Sequence, residues 1–215
     1  MWNRTEIKIK ILLLRHGMTD GNKEKRYIGR TDEALCEAAK IDLSDRKKMG
    51  QYPEITRLFV SPMLRCLETA QILYPDMEMT KIEQFREMDF GIFEGKNYQE
   101  LSEEPEYQKW VSGGCNGSIP GGESKSSFTS RCLEGVDVML QDLFTNNKPE
   151  LALENQEVGM IVHGGTIMSI LSAYAGGEYF DYQVATGEGY YTTWVISADR
   201  IRVVDVVRIC EKREE

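Results

Sequence analysis

Residues 7–14, IKIKILLL, alternate apolar residues with lysine and then run apolar, which predicts a strand entering a buried sheet. The stretch 33–50, rich in Ala, Glu, Lys and Leu, predicts a helix that stops near Gly50. Residues 56–60 form a second β-rich run. Ser61-Pro62 behind it reads as the N-cap and first-turn proline of a helix reaching about Tyr74, where Pro75 ends it. A weaker strand is expected at 77–82 and a short helical excursion at 97–112. Beyond the glycine-rich stretch 113–122, the pattern predicts a long helix over 123–145, a buried strand over 157–162 and a helix from Thr166 to Tyr174. Two β-rich runs, 191–197 and 201–208, flank Ala198-Asp199-Arg200 and read as a closing hairpin.

Strand and helix alternate through most of the chain. The expected fold is α/β: a three-layer α/β/α sandwich with a mainly parallel sheet and an antiparallel edge. The loop 113–122 is too short to separate two domains, so residues 1–215 read as one domain with a lid or insertion at about 95–122. Tyr98, Tyr107 and Trp110 in that insertion would face the organic part of a ligand, unless the segment is an amphipathic helix packed on the body.

Three of the expected strands end in polar groups. The first runs into Arg15-His16-Gly17, the second into Ser61-Pro62 with Arg65 one turn into the helix, and the strand 157–162 into His163-Gly164-Gly165. In an open α/β sheet, ligands bind beyond the carboxyl ends of the strands, so all three segments deliver to one rim. Arginine offers a fork of fixed donors matched to phosphate oxygens, and a helix N-terminus adds backbone N–H groups. The rim therefore reads as an anion clamp. An imidazole with an ordinary pKa of about 6.5 is mostly neutral at pH 7, and Arg15 and Arg65 nearby favour that neutral, nucleophilic form. The chain holds only two histidines, and both fall at these strand ends. A leaving alkoxide needs a proton, and Glu87 and Asp89 are the candidate acids, equal by spacing alone.

Composition narrows the partners. A net charge of -9 argues against non-specific nucleic-acid binding and against an anionic membrane surface, but not against a small anionic ligand held by a few arginines. The five cysteines, Cys36, Cys66, Cys115, Cys132 and Cys210, form no C-x-x-C pair and read as reduced thiols. The apolar run at 11–14 is too short to span a membrane, and residues 1–10 lack the apolar stretch of a signal peptide. The expectation is a cytoplasmic protein in which the sequons at Asn3 and Asn116 carry no meaning.

These residues also carry a resemblance. Arg15-His16-Gly17-Met18-Thr19 with Asn22 is similar to the signature of the histidine phosphatase superfamily, the phosphoglycerate-mutase-like proteins. Further pieces follow in the order of that family: Tyr27 to Asp32, Ser61-Pro62-Met63-Leu64-Arg65, Arg86 to Gly91 with Glu94-Gly95, Pro120 to Ser124, and Val162-His163-Gly164-Gly165. The resemblance implies that His16 is the nucleophile. It implies that Arg15, Arg65 and His163 form the phosphate pocket, with Asn22 and the Gly164 N–H as further phosphate ligands. It also implies that Glu87, not Asp89, is the proton donor. The family uses no metal, nothing here has metal-ligand spacing, and no cofactor is expected. One departure stands out. Leu35-Cys36-Glu37-Ala38-Ala39 lacks the hydroxyl cap and the glycine that the family commonly has at the start of its first helix.

The expected activity is hydrolysis of small-molecule phosphate monoesters through a phosphohistidine. Alpha-ribazole phosphatases and broad phosphatases of the family share the compact 95–120 region and the Asp89 to Gly95 run. Phosphoglycerate mutases usually carry a longer insert there and a longer tail. A mutase-type phosphoryl transfer and a non-catalytic phosphate-binding module are the rival readings. Oligomeric state is not legible.

Overall fold

The structure, a computed structural model, describes residues 6–146, 156–197 and 199–210. Asn3 and the hairpin residue Ala198 lie outside the described residues.

The first strand, β1 (Ile7–Arg15), sets the layering by its own alternation. Successive side chains of a strand point to opposite faces. Ile7, Ile9, Ile11 and Leu13 enter one buried cluster, while Leu12 and Leu14 enter another. Helix α1 (Asp20–Lys23) is one turn, and α2 (Glu37–Lys48) begins later than the 33–50 pattern suggests. Residues before it are spent on tertiary contacts: the Leu35 N–H donates to Glu68 and Asp32 accepts from the Leu64 N–H. Cys36 is the N-cap of α2 and makes no side-chain cap bond, as its missing hydroxyl implies.

Strand β2 (Arg57–Val60) leads to α3 (Leu64–Leu73), whose N-cap is Met63. This corrects the Ser61-Pro62 expectation. The Ser61 hydroxyl meets His163 at 2.8 Å and accepts only a long bond, 3.4 Å, from the Met63 N–H, and the helix starts a half-turn later. Strand β3 (Met79–Lys81) is three residues long. Of the excursion at 97–112, only α4 (Pro105–Ser112) is α-helical. Helix α5 (Lys125–Asn146), strand β4 (Glu157–Val162), helix α6 (Gly164–Tyr174) and the antiparallel pair β5 (Gly189–Ile196) and β6 (Ile201–Ile209) complete the chain. Ser124 caps α5 by accepting from the Ser127 N–H.

The six strands form one sheet in the order β3-β2-β4-β1-β5-β6. β3, β2, β4 and β1 are mutually parallel, and β5 and β6 supply the antiparallel edge. On one face α2 and α3 cover Leu12, Leu14, Leu58, Val60 and Ile161. On the other, α5 and α6 cover Ile11, Leu13, Phe59, Met160 and Val162. This is the three-layer α/β/α sandwich. Arg15 pairs level with Val162, and Val60 with Ile161, so β1, β2 and β4 end at the same height. Among the described residues, no helix is long and apolar enough to cross a membrane.

Candidate active site

Backbone bonds lock the three strand ends together before any side chain is placed. The His16 N–H donates to Val162 O and the Ser61 N–H to Ile161 O, and the Gly187 N–H reaches the carbonyls of both Arg15 and His16. Gly17 N–H donates to the Thr69 hydroxyl at 2.9 Å. His16 therefore sits on a floor fixed from both sides.

His16 is 3% exposed, so it is not on an open rim; it forms the buried floor of a cavity of about 480 Å³. Its Nδ1–H donates to its neighbour's carbonyl, Gly17 O, at 2.7 Å. That bond assigns the proton to Nδ1 and leaves Nε2 with its lone pair. Burial, then Arg65 and Arg15, hold the imidazole well below its ordinary pKa, so it is neutral. The His163 ring lies edge-on to it, centroids 5.1 Å apart at 67°. His163 is kept neutral by the same causes: burial first, then Arg65 and His16. Its Nε2 meets Ser61 Oγ, and its Nδ1 is 4.0 Å from Glu87 Oε2.

Arg15 lines the cavity and donates through Nη1 to Val184 O at 2.8 Å, while its buried Nε has no partner. Arg65 is placed differently from the expectation of a side chain reaching the open rim. It is 1% exposed and is not part of the cavity wall. The carbonyls of Thr31 and Gly29 accept its guanidinium at 2.9 and 3.1 Å, which pins it beneath the 28–31 turn. Its charge still acts on His16, His163 and Glu87.

Asn22 lines the cavity and closes a capping box with Thr19, its Oδ1 accepting from the Thr19 N–H at 3.2 Å. With that oxygen committed, the amide presents donors only. Gly164 stands at the N-terminus of α6 against the Arg15 guanidinium, where a Cβ would lie 3.4 Å from Nε. Gly165 is also space-limited: a Cβ there would come within 2.7 Å of Glu87 Oε1.

The two candidate acids separate cleanly. The Glu87 side chain is 12% exposed, and burial raises its pKa over the opposing pull of the Met88 N–H, Arg65 and Arg15. Asp89 is one-third exposed, accepts from the Gly91 N–H and faces Arg30. It caps a turn and does not line the cavity.

The far wall holds Tyr27, Phe90 and Trp110, with Lys125, Tyr179 and Phe180 at the side. Trp110 and Tyr107 of α4 pack with Tyr27 and Phe93, whereas Tyr98 is 50% exposed and is not part of the wall. Sequence reasoning named Gly165 without giving it a role, and missed the 179–184 wall and the Ser61–His163 bond. The aromatic cluster Tyr179-Phe180-Asp181-Tyr182 after Gly176-Gly177 was the available signal for the wall. Among the described residues, no three His, Cys, Asp or Glu side chains are grouped as a metal would require.

The chain resembles known proteins in sequence and in fold. Residues 11–205 match the Histidine phosphatase superfamily (branch 1). A protein described as probable phosphoglycerate mutase GpmB from Cronobacter sakazakii is 31% identical over 171 residues, covering 78% of each chain. Among solved structures, the alpha-ribazole phosphatase from Shigella flexneri superimposes with a TM-score of 0.72 at 18% identity, covering 92% of this chain and 96% of that one. A phosphoglycerate mutase from Thermus thermophilus gives 0.64 at 24%, covering 95% and 100%. The chain belongs to the histidine phosphatase superfamily, branch 1, a family of phosphoryl-transfer enzymes.

Proposed function

We propose that the protein is a metal-independent phosphohydrolase that cleaves small-molecule phosphate monoesters through a phosphohistidine on His16. One observation carries this reading: the Nδ1–H bond to Gly17 O leaves an unprotonated Nε2 on the cavity floor, in an imidazole that burial and two arginines keep neutral. Such a nitrogen is ready to attack phosphorus. Arg15, the Asn22 amide and the Gly164 N–H hold the phosphoryl oxygens, with His163 beside them and the fixed charge of Arg65 behind. Nε2 forms a bond to phosphorus as the ester P–O bond breaks. Glu87, whose burial favours its protonated form over the pull of the Met88 N–H, Arg65 and Arg15, gives its proton to the departing alkoxide. In the second half, Glu87 takes a proton from water, whose oxygen displaces His16 and leaves as inorganic phosphate.

The mutase reading differs only in the acceptor of the phosphoryl group, and the GpmB relative supports it. The compact segment between Gly95 and Pro120 favours water. Alpha-ribazole 5′-phosphate is the first natural substrate to try, since the aromatic wall of Tyr27, Phe90 and Trp110 suits a flat base.

The test is phosphate release from p-nitrophenyl phosphate in EDTA, beside 3-phosphoglycerate with a trace of 2,3-bisphosphoglycerate. Release in EDTA is expected across pH 5 to 8. Isomerisation much faster than release would overturn the hydrolase reading in favour of the mutase, and no turnover at all would leave a binding module.

A further inference from the structure

The cavity contains a cation that the chemistry above leaves unused. Lys125, the first residue of α5, lines the same cavity as Arg15, His16 and Glu87. Its Nζ stands 5.2 Å from the centre of the Tyr179 ring and 5.7 Å from that of Phe180. The other cation of this outer wall, Arg26, is already neutralised by Glu24 at 2.6 Å and Glu100 at 2.7 Å. Among the described residues no carboxylate pairs with Lys125. Nor does helix stability account for it, because a cation in the first turn meets the positive end of the helix dipole. Phe180, beneath the ammonium, stays 47% exposed, so the pair is not held for burial either. Among the described residues, the only carboxyl lining the cavity is Glu87. A chain of net charge -9 thus presents a positive cavity with an unpaired ammonium on its outer wall.

We propose that Lys125, seated on Tyr179 and Phe180, forms a second anion subsite that selects phosphate monoesters whose organic part carries a carboxylate or a further phosphate. This rests on the phosphatase reading of the site. The two rings hold the ammonium by cation–π attraction at the wall of the cavity, where it can meet the organic part of a bound ester. A charge-assisted bond in a partly desolvated wall is worth about tenfold in affinity or more. Alpha-ribazole 5′-phosphate, with no second anion, gains nothing from this subsite.

The experiment measures inhibition of p-nitrophenyl phosphate turnover by 3-phosphoglycerate and by glycerol 3-phosphate. These probes differ at the distal carbon, carboxylate against hydroxymethyl. The wild type is expected to bind 3-phosphoglycerate about tenfold more tightly, Lys125→Met to bring the two inhibition constants within about twofold, and Lys125→Arg to keep the preference. The readout is a ratio, so a general loss of activity in a variant cancels. Equal constants in the wild type, or an unchanged ratio in Lys125→Met, overturn the subsite while phosphatase turnover stands. Absence of p-nitrophenyl phosphate turnover in the wild type takes down both readings.

Discussion

Arg131 and Glu123 meet through two parallel hydrogen bonds, Nε to Oε1 at 2.9 Å and Nη2 to Oε2 at 2.7 Å. The remaining donors of the same guanidinium reach the backbone carbonyls of Gln84 and Arg86 at 2.8 and 2.9 Å, and of Glu87 at 3.3 Å. Glu123 in turn accepts from the Asp89 N–H at 2.9 Å, and its own N–H donates to Asp89 O. One ion pair thus ties the start of α5 to the backbone on both sides of Glu87. A planar fork can do this and a point charge cannot.

Arg131→Lys therefore loosens the loop that carries the acid without removing the acid. The expected outcome is a larger fall in kcat for an alkyl phosphate, whose leaving group needs the proton, than for p-nitrophenyl phosphate. Glu87→Gln should show the same asymmetry more strongly, with about 10²–10⁴-fold lost on the alkyl ester. If Glu87→Gln is asymmetric and Arg131→Lys is not, the clamp has no bearing on acid placement.

His16→Ala removes the proposed nucleophile while Gly17, Val162 and Gly187 still hold the backbone. Turnover should fall by about 10⁴-fold or more. The acid-labile phosphoryl label that wild type acquires during quenched turnover should disappear. A variant that keeps the label places the nucleophile elsewhere.

Gly165→Ala probes how tightly the acid is packed. The added methyl would meet Glu87 Oε1 at 2.7 Å and Phe128 Cε1 at 2.9 Å. Phe128 is fully buried, so Glu87 is the side that yields. The variant should stay folded, with stability lowered by about 1–3 kcal/mol for overpacking. It should lose alkyl-phosphate activity preferentially. Equal activity on both ester classes would show that Glu87 does not move.

The alternation Ile7 to Leu14 already contains both buried faces of the sheet, because a strand's period of two is local information. The polar strand ends were legible for the same reason. Arg65 was legible as a residue but not as a placement. Its partners, the carbonyls of Gly29 and Thr31, carry no signal in side-chain identity. Ser61 followed by proline has the local chemistry of a cap, and the distant His163 explains why its hydroxyl keeps only a long bond to the Met63 N–H. Arg131 reaches the backbone around Glu87 across more than forty residues, beyond what spacing reveals.

Stability against pH is the remaining prediction, and the two histidines and Glu87 pull in opposite directions. His16 and His163 are the only histidines in the chain, and both are held well below 6.5 in the folded state. Below about pH 6.5 the unfolded chain binds protons that the folded chain refuses. The histidine contribution is therefore complete above that pH and lost as pH falls through it. Glu87 is raised from 4.5, so the folded chain binds its proton more tightly, and its contribution is lost as pH rises. Two imidazoles outweigh one carboxyl: together they contribute up to about 2.7 kcal/mol per pH unit, against at most about 1.4 in the other direction. The melting temperature in phosphate-free buffer should accordingly drop between pH 6.5 and 5, and His163→Gln should make that drop shallower. An identical pH profile in the variant would mean that His163 titrates normally in the folded protein, and that burial beside Arg65 and Arg15 does not hold it neutral.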